Sequence, residues 1–249
     1  MTRRLAIPAV LLGFLVGAAP ASAHHVACGD TITQDTTLDS DLTCPGNGLV
    51  VSANGVTLDL GGHAISGSGA AFSMGVTARQ DATLEGVTIR RGTIRGFDTG
   101  VLLEGDGGVA VRGLAITGNV TGIVIDISFD VVVRNNLIAD NSGSGLLALD
   151  SNTVRVAGND ALRNAGDGIH FGGEVTSSSA EGNVASGNGD DGIEVAEFVV
   201  GETPNRLARN LATDNGDLGI EAVAGTLDGG GNRAFGNGNP LQCLNIVCR

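Results

Sequence analysis

The chain has 249 residues, with 14 Lys plus Arg against 27 Asp plus Glu, a formal charge of −13, and no Trp or Tyr. That charge excludes a general affinity for nucleic acid or anionic membranes, and it repels a uronic-acid polymer unless a divalent cation lies between the two. With only 7 Phe there are few stacking platforms for sugars or single strands, and 41 Gly without a three-residue period point to tight turns, not helices.

In chain order, Arg3 and Arg4 precede an apolar run over 5–19 and then Ala21-Ser22-Ala23, the plan of a secretory signal peptide spanning 1–23. The run is shorter than the roughly 20 apolar residues that span a bilayer, and no later stretch is long enough. Export is therefore expected, to the medium or a periplasm, and loss of the two arginines takes the formal charge from −13 to −15. Four Cys lie in two local pairs, Cys28/Cys44 and Cys243/Cys248. In an oxidising compartment each pair is expected to form a disulfide, since the spacings match no zinc site.

A repeat occupies the rest. Gly55-Val56-Thr57-Leu58-Asp59-Leu60 returns as Gly86-Val87-Thr88-Ile89-Arg90-Arg91, with the excess length assigned to a loop over 66–74. Gly100-Val101 returns as Gly122-Ile123. Thereafter five asparagine pairs keep step: Asn136/Asn141, Asn159/Asn164, Asn183/Asn188, Asn210/Asn215 and Asn232/Asn237, recurring every 22 to 27 residues. A glycine follows four of these pairs, at Gly145, Gly168, Gly192 and Gly219. Units this short cannot bury a core alone, so they must stack on one another.

Within one unit, Leu147/Leu149 or Leu146/Ala148 alternate, Val154 and Val156 flank Arg155, and turn formers fall at Asp150-Ser151-Asn152, Gly158-Asn159 and 164–168. Period-two alternation over three to five residues predicts short strands. The expected fold is all-β, a single-stranded right-handed parallel β-helix of seven to nine three-strand coils, each of about 22 residues. Ile123, Leu146, Ile169, Ile193 and Ile220 form an inward row. The asparagines are placed in the turns, where they tolerate left-handed backbone and bond to the same amide one coil above and below, and the glycines at corners that need an unusual φ. The predicted layout is an amino-terminal cap over 24–53, the helix over 54–240 and a carboxy-terminal cap over 241–249.

These residues resemble secreted bacterial right-handed parallel β-helix repeat proteins, in the fold group of pectate lyases and the copper-associated NosD proteins. The likeness is carried by Cys28-Gly29-Asp30-Thr31-Ile32 through Cys44, by 56–63, by the asparagine rows and by the ending 236–243. It implies the fold and says little of activity, because the fold hosts lyases, hydrolases, epimerases, adhesins and scaffolds. Polygalacturonase motifs are echoed only by Asp190-Asp191, and no lyase or epimerase set is complete, although Arg155 stands as an outward arginine one repeat before His170.

With Ile169, Ile193 and Ile220 inward, the next residues His170, Glu194 and Glu221 face outward in one column, and Asp167, Asp190, Asp191 and Asp217 precede them in turns. Candidate catalytic residues are Asp190, Asp191, Glu194, Glu221 and His170. Candidate Ca²⁺ ligands are Asp167, Asp191, Glu194 and Asp217, because Ca²⁺ takes several oxygens. The longest coil adds a loop over 197–206, expected to wall a shallow groove beside them. The ordinary alternative is surface charge and turn chemistry.

The leading functional expectation is a non-catalytic scaffold or binding module for extracellular glycan, monomeric, requiring no cofactor and binding no nucleic acid. Its rivals are a Ca²⁺-dependent polysaccharide lyase or glycoside hydrolase acting through the acidic groove, and a purely structural role at the cell surface.

Overall fold

The computed structural model describes residues 25–79, 83–197 and 200–249. The expected signal peptide, 1–23, lies outside them. The described residues contain 26 strands and no α-helix, stacked in about nine turns some 23 residues apart. Ten strands follow in chain order up one sheet, from Thr31–Ile32 to Cys243–Leu244. The other two faces of each coil merge into a 16-stranded sheet. One circuit runs Leu146–Leu149, Arg155–Ala157 and Asp160–Leu162 before Ile169–Gly172 lands in parallel on its start.

Register follows the inward row. Ile123 pairs with Leu146, Leu146 with Ile169, Ile169 with Ile193 and Ile193 with Ile220, and all five side chains are fully buried. Burying a whole Ile or Leu contributes about 1.5–3 kcal/mol relative to exposure, and a one-residue slip would turn the row into solvent. Ala161, Ala185 and Ala212 form a second inward row at the corner, where space is short.

Two corner expectations change. The ladder asparagines are not themselves in left-handed backbone; the residue before each is, as at Asn135, Asp140, Gly158, Arg163, Gly182 and Asp214. The asparagines instead turn inward and are buried. In one row Asn141, Asn164, Asn188 and Asn215 each donate from Nδ2 to Oδ1 of the next member, at 2.8, 3.0, 2.9 and 2.9 Å. The row ends at Asn237, whose Nδ2 donates to Gln242 Oε1 at 2.8 Å. The corner glycines also have ordinary φ. A Cβ on Gly168 would lie 2.5 Å from the Gly192 carbonyl oxygen and 2.8 Å from Asn188 Nδ2, so glycine serves close approach between coils.

At the amino-terminal end, 25–53 holds a first coil, Thr31–Ile32, Thr36–Thr37 and Leu42–Cys44, whose strands pair in parallel with Leu49–Val51, Thr57–Asp59 and Ala64–Gly67 of the second. Strand Ala64–Gly67 takes Ser66 into the sheet, and Met74 opens the next strand, so the expected loop shrinks to 68–73. Disulfides join Cys28 to Cys44 and Cys243 to Cys248.

Candidate functional site

The outward column is built by the same register. His170 pairs with Glu194 and Glu194 with Glu221 along the ten-stranded sheet. Asp167 and Asp191 sit two positions before the inward Ile169 and Ile193, on the far side of the corner glycines, and they are buried, not turn residues at the surface. The reason is a hydrogen-bond ladder: Asp167 Oδ1 accepts the Asp191 N–H at 3.1 Å, and Asp191 Oδ1 accepts the Leu218 N–H at 2.7 Å. Each buried carboxylate thus holds the coil that follows it.

Their second oxygens reach the column. His170 Nδ1 lies 2.8 Å from Asp167 Oδ2 and 2.5 Å from Glu194 Oε2. The Asp167 hydrogen bond, then that from Glu194, raises the imidazole to about 10 against the opposing effect of burial, so at neutral pH it is a cation between two carboxylates. Asp191 is pushed up to about 8, first by burial and then by contact with the Glu221 carboxylate. Asp190 is also raised, chiefly by burial and then by Asp167, Glu194 and Asp217.

The residues expected as one site therefore separate into overlapping groups: Asp167, His170 and Glu194; Asp167, Asp190 and Asp191; and Asp191, Asp217 and Glu221. Each brings its ligand atoms within 4.8 Å of one another. Asp167, Asp191, Glu194 and Asp217 do not appear together as one set of Ca²⁺ ligands. In the first group the histidine cation already supplies the positive charge a metal would bring; the third has no such cation.

Of the loop expected over 197–206, residues 198–199 lie outside the described residues; Glu197 and 200–205 follow the other end of these strands. Its Glu202 joins Asp150, Ser151, Asn152, Glu174 and Thr176 around a cleft of about 300 Å³ that His170, Glu194 and Glu221 do not line. Arg155 is likewise removed, since it pairs with Val132 and Ser179 on the other sheet.

Two features escaped the sequence reading. Asp106 is 1% exposed with neither carboxylate oxygen hydrogen-bonded, and burial pushes it up to about 6. A second cleft, of about 220 Å³, is lined by Arg90, Arg91, Arg112, Gly113, Arg134 and Asn135. The 22-residue spacing of Arg90, Arg112 and Arg134 was visible in the sequence, in a stretch where the asparagine pairs that set the register had not yet begun.

A family model for the right handed beta helix region matches residues 43–184 and 74–228. The chain belongs to this right-handed β-helix family. Among solved structures it is similar to the enzymatically active domain of bacteriophage CBA120 tailspike protein 2, at TM-score 0.63 and 13% identity over 82% of this chain and 38% of that one. It is also similar to an alginate lyase from Paenibacillus sp. str. FPU-7, at TM-score 0.61 and 16% identity over 88% and 91% of the two chains. The periplasmic alginate epimerase AlgG gives TM-score 0.58 and 16% identity, over 86% of this chain and 51% of that one. This chain spans less than half the length of the tailspike structure, and at these identities the likeness is one of fold. No curated protein sequence matches the chain.

Proposed function

We propose that this β-helix protein is an exported glycan-binding module that does not turn its ligand over. The observation that carries the second half of this reading is the mutual engagement of the acidic column. His170 is held by Asp167 and Glu194, and Asp191 by Glu221, so the acid and base candidates face one another. A glycosidase holds its two carboxyl groups about 5–9.5 Å apart to admit a sugar between them. Polysaccharide-directed names among the similar structures support a glycan as ligand. The amino-terminal leader, the two disulfides and the absence of a long apolar helix among the described residues support export.

A second reading, a carbohydrate-active enzyme, is favoured by one observation: burial, then the Glu221 side chain beside it, push Asp191 up to about 8, as suits a general acid. Screening the protein against a panel of polysaccharides for both binding and turnover tests the two. Binding without turnover supports the module. Turnover abolished by Asp191→Asn with Glu194→Gln would replace it with the enzyme, and no binding to any glycan would overturn both. Calorimetric titration with Ca²⁺ addresses the acidic groups, and a flat trace removes the metal from either reading.

A further inference from the structure

In a chain this acidic, arginines gathered on one face require an explanation. Asp59, Arg90, Arg112 and Arg134 succeed one another in register on the 16-stranded sheet, with Ala157 and then Glu181 after them. Arg91 turns to the same place. At one end Asp59 is shared by two arginines: its Oδ2 accepts from Arg90 Nε at 2.8 Å and its Oδ1 from Arg91 Nε at 2.9 Å. At the other end Glu181 is taken by Arg206 and Arg209. Between these ends Arg112 and Arg134 have no acidic partner among the described residues, and Arg134 is exposed. Arg155 adds a further outward cation one coil on.

Like charges directly opposite on neighbouring strands repel, so an arginine row without counterions is unfavourable as it stands. An anion in the cleft would relieve it. Guanidinium groups present paired N–H donors that match carboxylate and sulfate oxygens in bidentate fashion. The row also has a period: one arginine per coil, about 4.8 Å apart, close to the length of one pyranose along a glycan. Gly113, at φ +63° and with nothing within 4 Å of a built Cβ, leaves the middle of the row open.

We propose that the cleft formed by Arg90, Arg91, Arg112 and Arg134 is a binding site for a linear glycan bearing one carboxylate or sulfate per sugar, laid parallel to the helix axis. This rests on the glycan-binding reading above and places the ligand on the opposite sheet from the acidic column. It also localises an exception to the repulsion that the net charge imposes elsewhere. Asp59, spent on Arg90 and Arg91, closes one end of the track, and the Glu181 cluster marks the other.

The test is calorimetric titration, in low salt with chelator, of the full exported chain with hexamers of galacturonate, of sulfated dextran and of neutral galactan, and with a twelve-residue oligothymidylate. Galacturonate or sulfated dextran should bind, those two arms separating carboxylate from sulfate. Arg112→Gln with Arg134→Gln should weaken that binding at least ten-fold while leaving the circular dichroism and melting temperature unchanged. Arg233→Gln with Arg249→Gln, the same change in charge on exposed arginines of the last coil, should leave it intact. Equal loss in both double variants, or none in either, overturns the site. Tighter binding of the oligothymidylate overturns the glycan. If only neutral galactan binds, the glycan-binding reading stands and this inference falls; if no glycan binds, both fall.

Discussion

The outward columns of the ten-stranded sheet change character halfway along while the backbone does not. In the earlier coils the outward column reads Leu102, Val124, Leu147 and the corner position three residues before it Thr99, Thr121, Ser144; in the later coils the outward column holds His170, Glu194, Glu221 and the corner the buried Asp167, Asp191. The backbone bonds between coils are alike in both, as with Ile123 N–H to Gly145 O at 2.9 Å and Ile169 N–H to Gly192 O at 3.1 Å. The inward row and corner asparagines carry the fold, so the outward positions are free to carry chemistry. The acids then enter not as loose surface charge but as members of a ladder, each tied to the next coil's backbone.

The sharpest way to break the comparison is to remove a rung that both regions need. Asn183 accepts the Asn159 N–H at 2.9 Å, donates to the Val156 carbonyl at 2.9 Å and bonds the asparagines on either side. Asn183→Ala leaves buried backbone groups unpaired and should cost about 3–5 kcal/mol in urea unfolding, taking about 1–3 kcal/mol for each orphaned group. Asn119→Ala, at the start of its row, should cost less; equal losses would show that position within the row is immaterial.

The next effect belongs to the earlier coils. Ser128 and Ser151 each accept the N–H of the residue one coil before and donate back to a carbonyl two residues earlier, at 2.9 and 2.6 Å, and Asp106 heads that row. The Asp106 carboxyl makes neither of these bonds, so burial without a partner favours its protonated form. Its folded value of about 6 lies above the ordinary 3.8, so the folded state holds the proton more tightly and stability falls as pH rises from about 4 to 6. Asp106→Ser should therefore gain about 2–3 kcal/mol at pH 8 and little at pH 4. A gain independent of pH would contradict this assignment.

In the later coils, His170→Gln leaves Asp167 and Glu194 facing each other without a cation. The folded imidazole value of about 10 exceeds the unfolded 6.5, so its contribution is complete below pH 6.5 and disappears as pH climbs through 10. A loss of about 2 kcal/mol at pH 6, shrinking toward pH 10, is expected from thermal melts. The raised Asp191 acts in the same direction as Asp106. Asp59 opposes them, because Arg91 holds it down to about 2, so its stabilisation is lost only as pH drops from 3.8 through 2. Leu147→Thr, on the same outward column but half-buried among aliphatic neighbours, should change stability by about 0.5 kcal/mol or less.

Architecture was legible because Asn and Gly recur in fixed register, and that register also placed His170, Glu194 and Glu221 side by side. What it could not convey was depth. Asp167 and Asp191 read as turn acids because Asp next to Gly usually is one; only the inter-coil N–H bonds draw them inside. The corner glycines read as φ requirements, whereas the constraint is a carbonyl from the adjacent coil, far away in sequence. Asp106 carried no signal, since a lone Asp between glycines is the commonest of turn residues. Polygalacturonase-like Asp190-Asp191 looked like a matched pair, yet one of the two is buried and the other exposed.

The asparagine rows have a direction. From Asn119 to Gln242 every side-chain amide hands its N–H onward and receives from behind, so the amide dipoles point the same way and polarise one another. The rod is consequently vectorial, like a column of compass needles, and its two tips are electrically unlike. A chain emerging amino-terminus first would assemble each rung against a donor already waiting, and the Gln242 side chain, with its Nε2 turned aside to the Asn239 carbonyl at 2.6 Å, is where that relay is switched off.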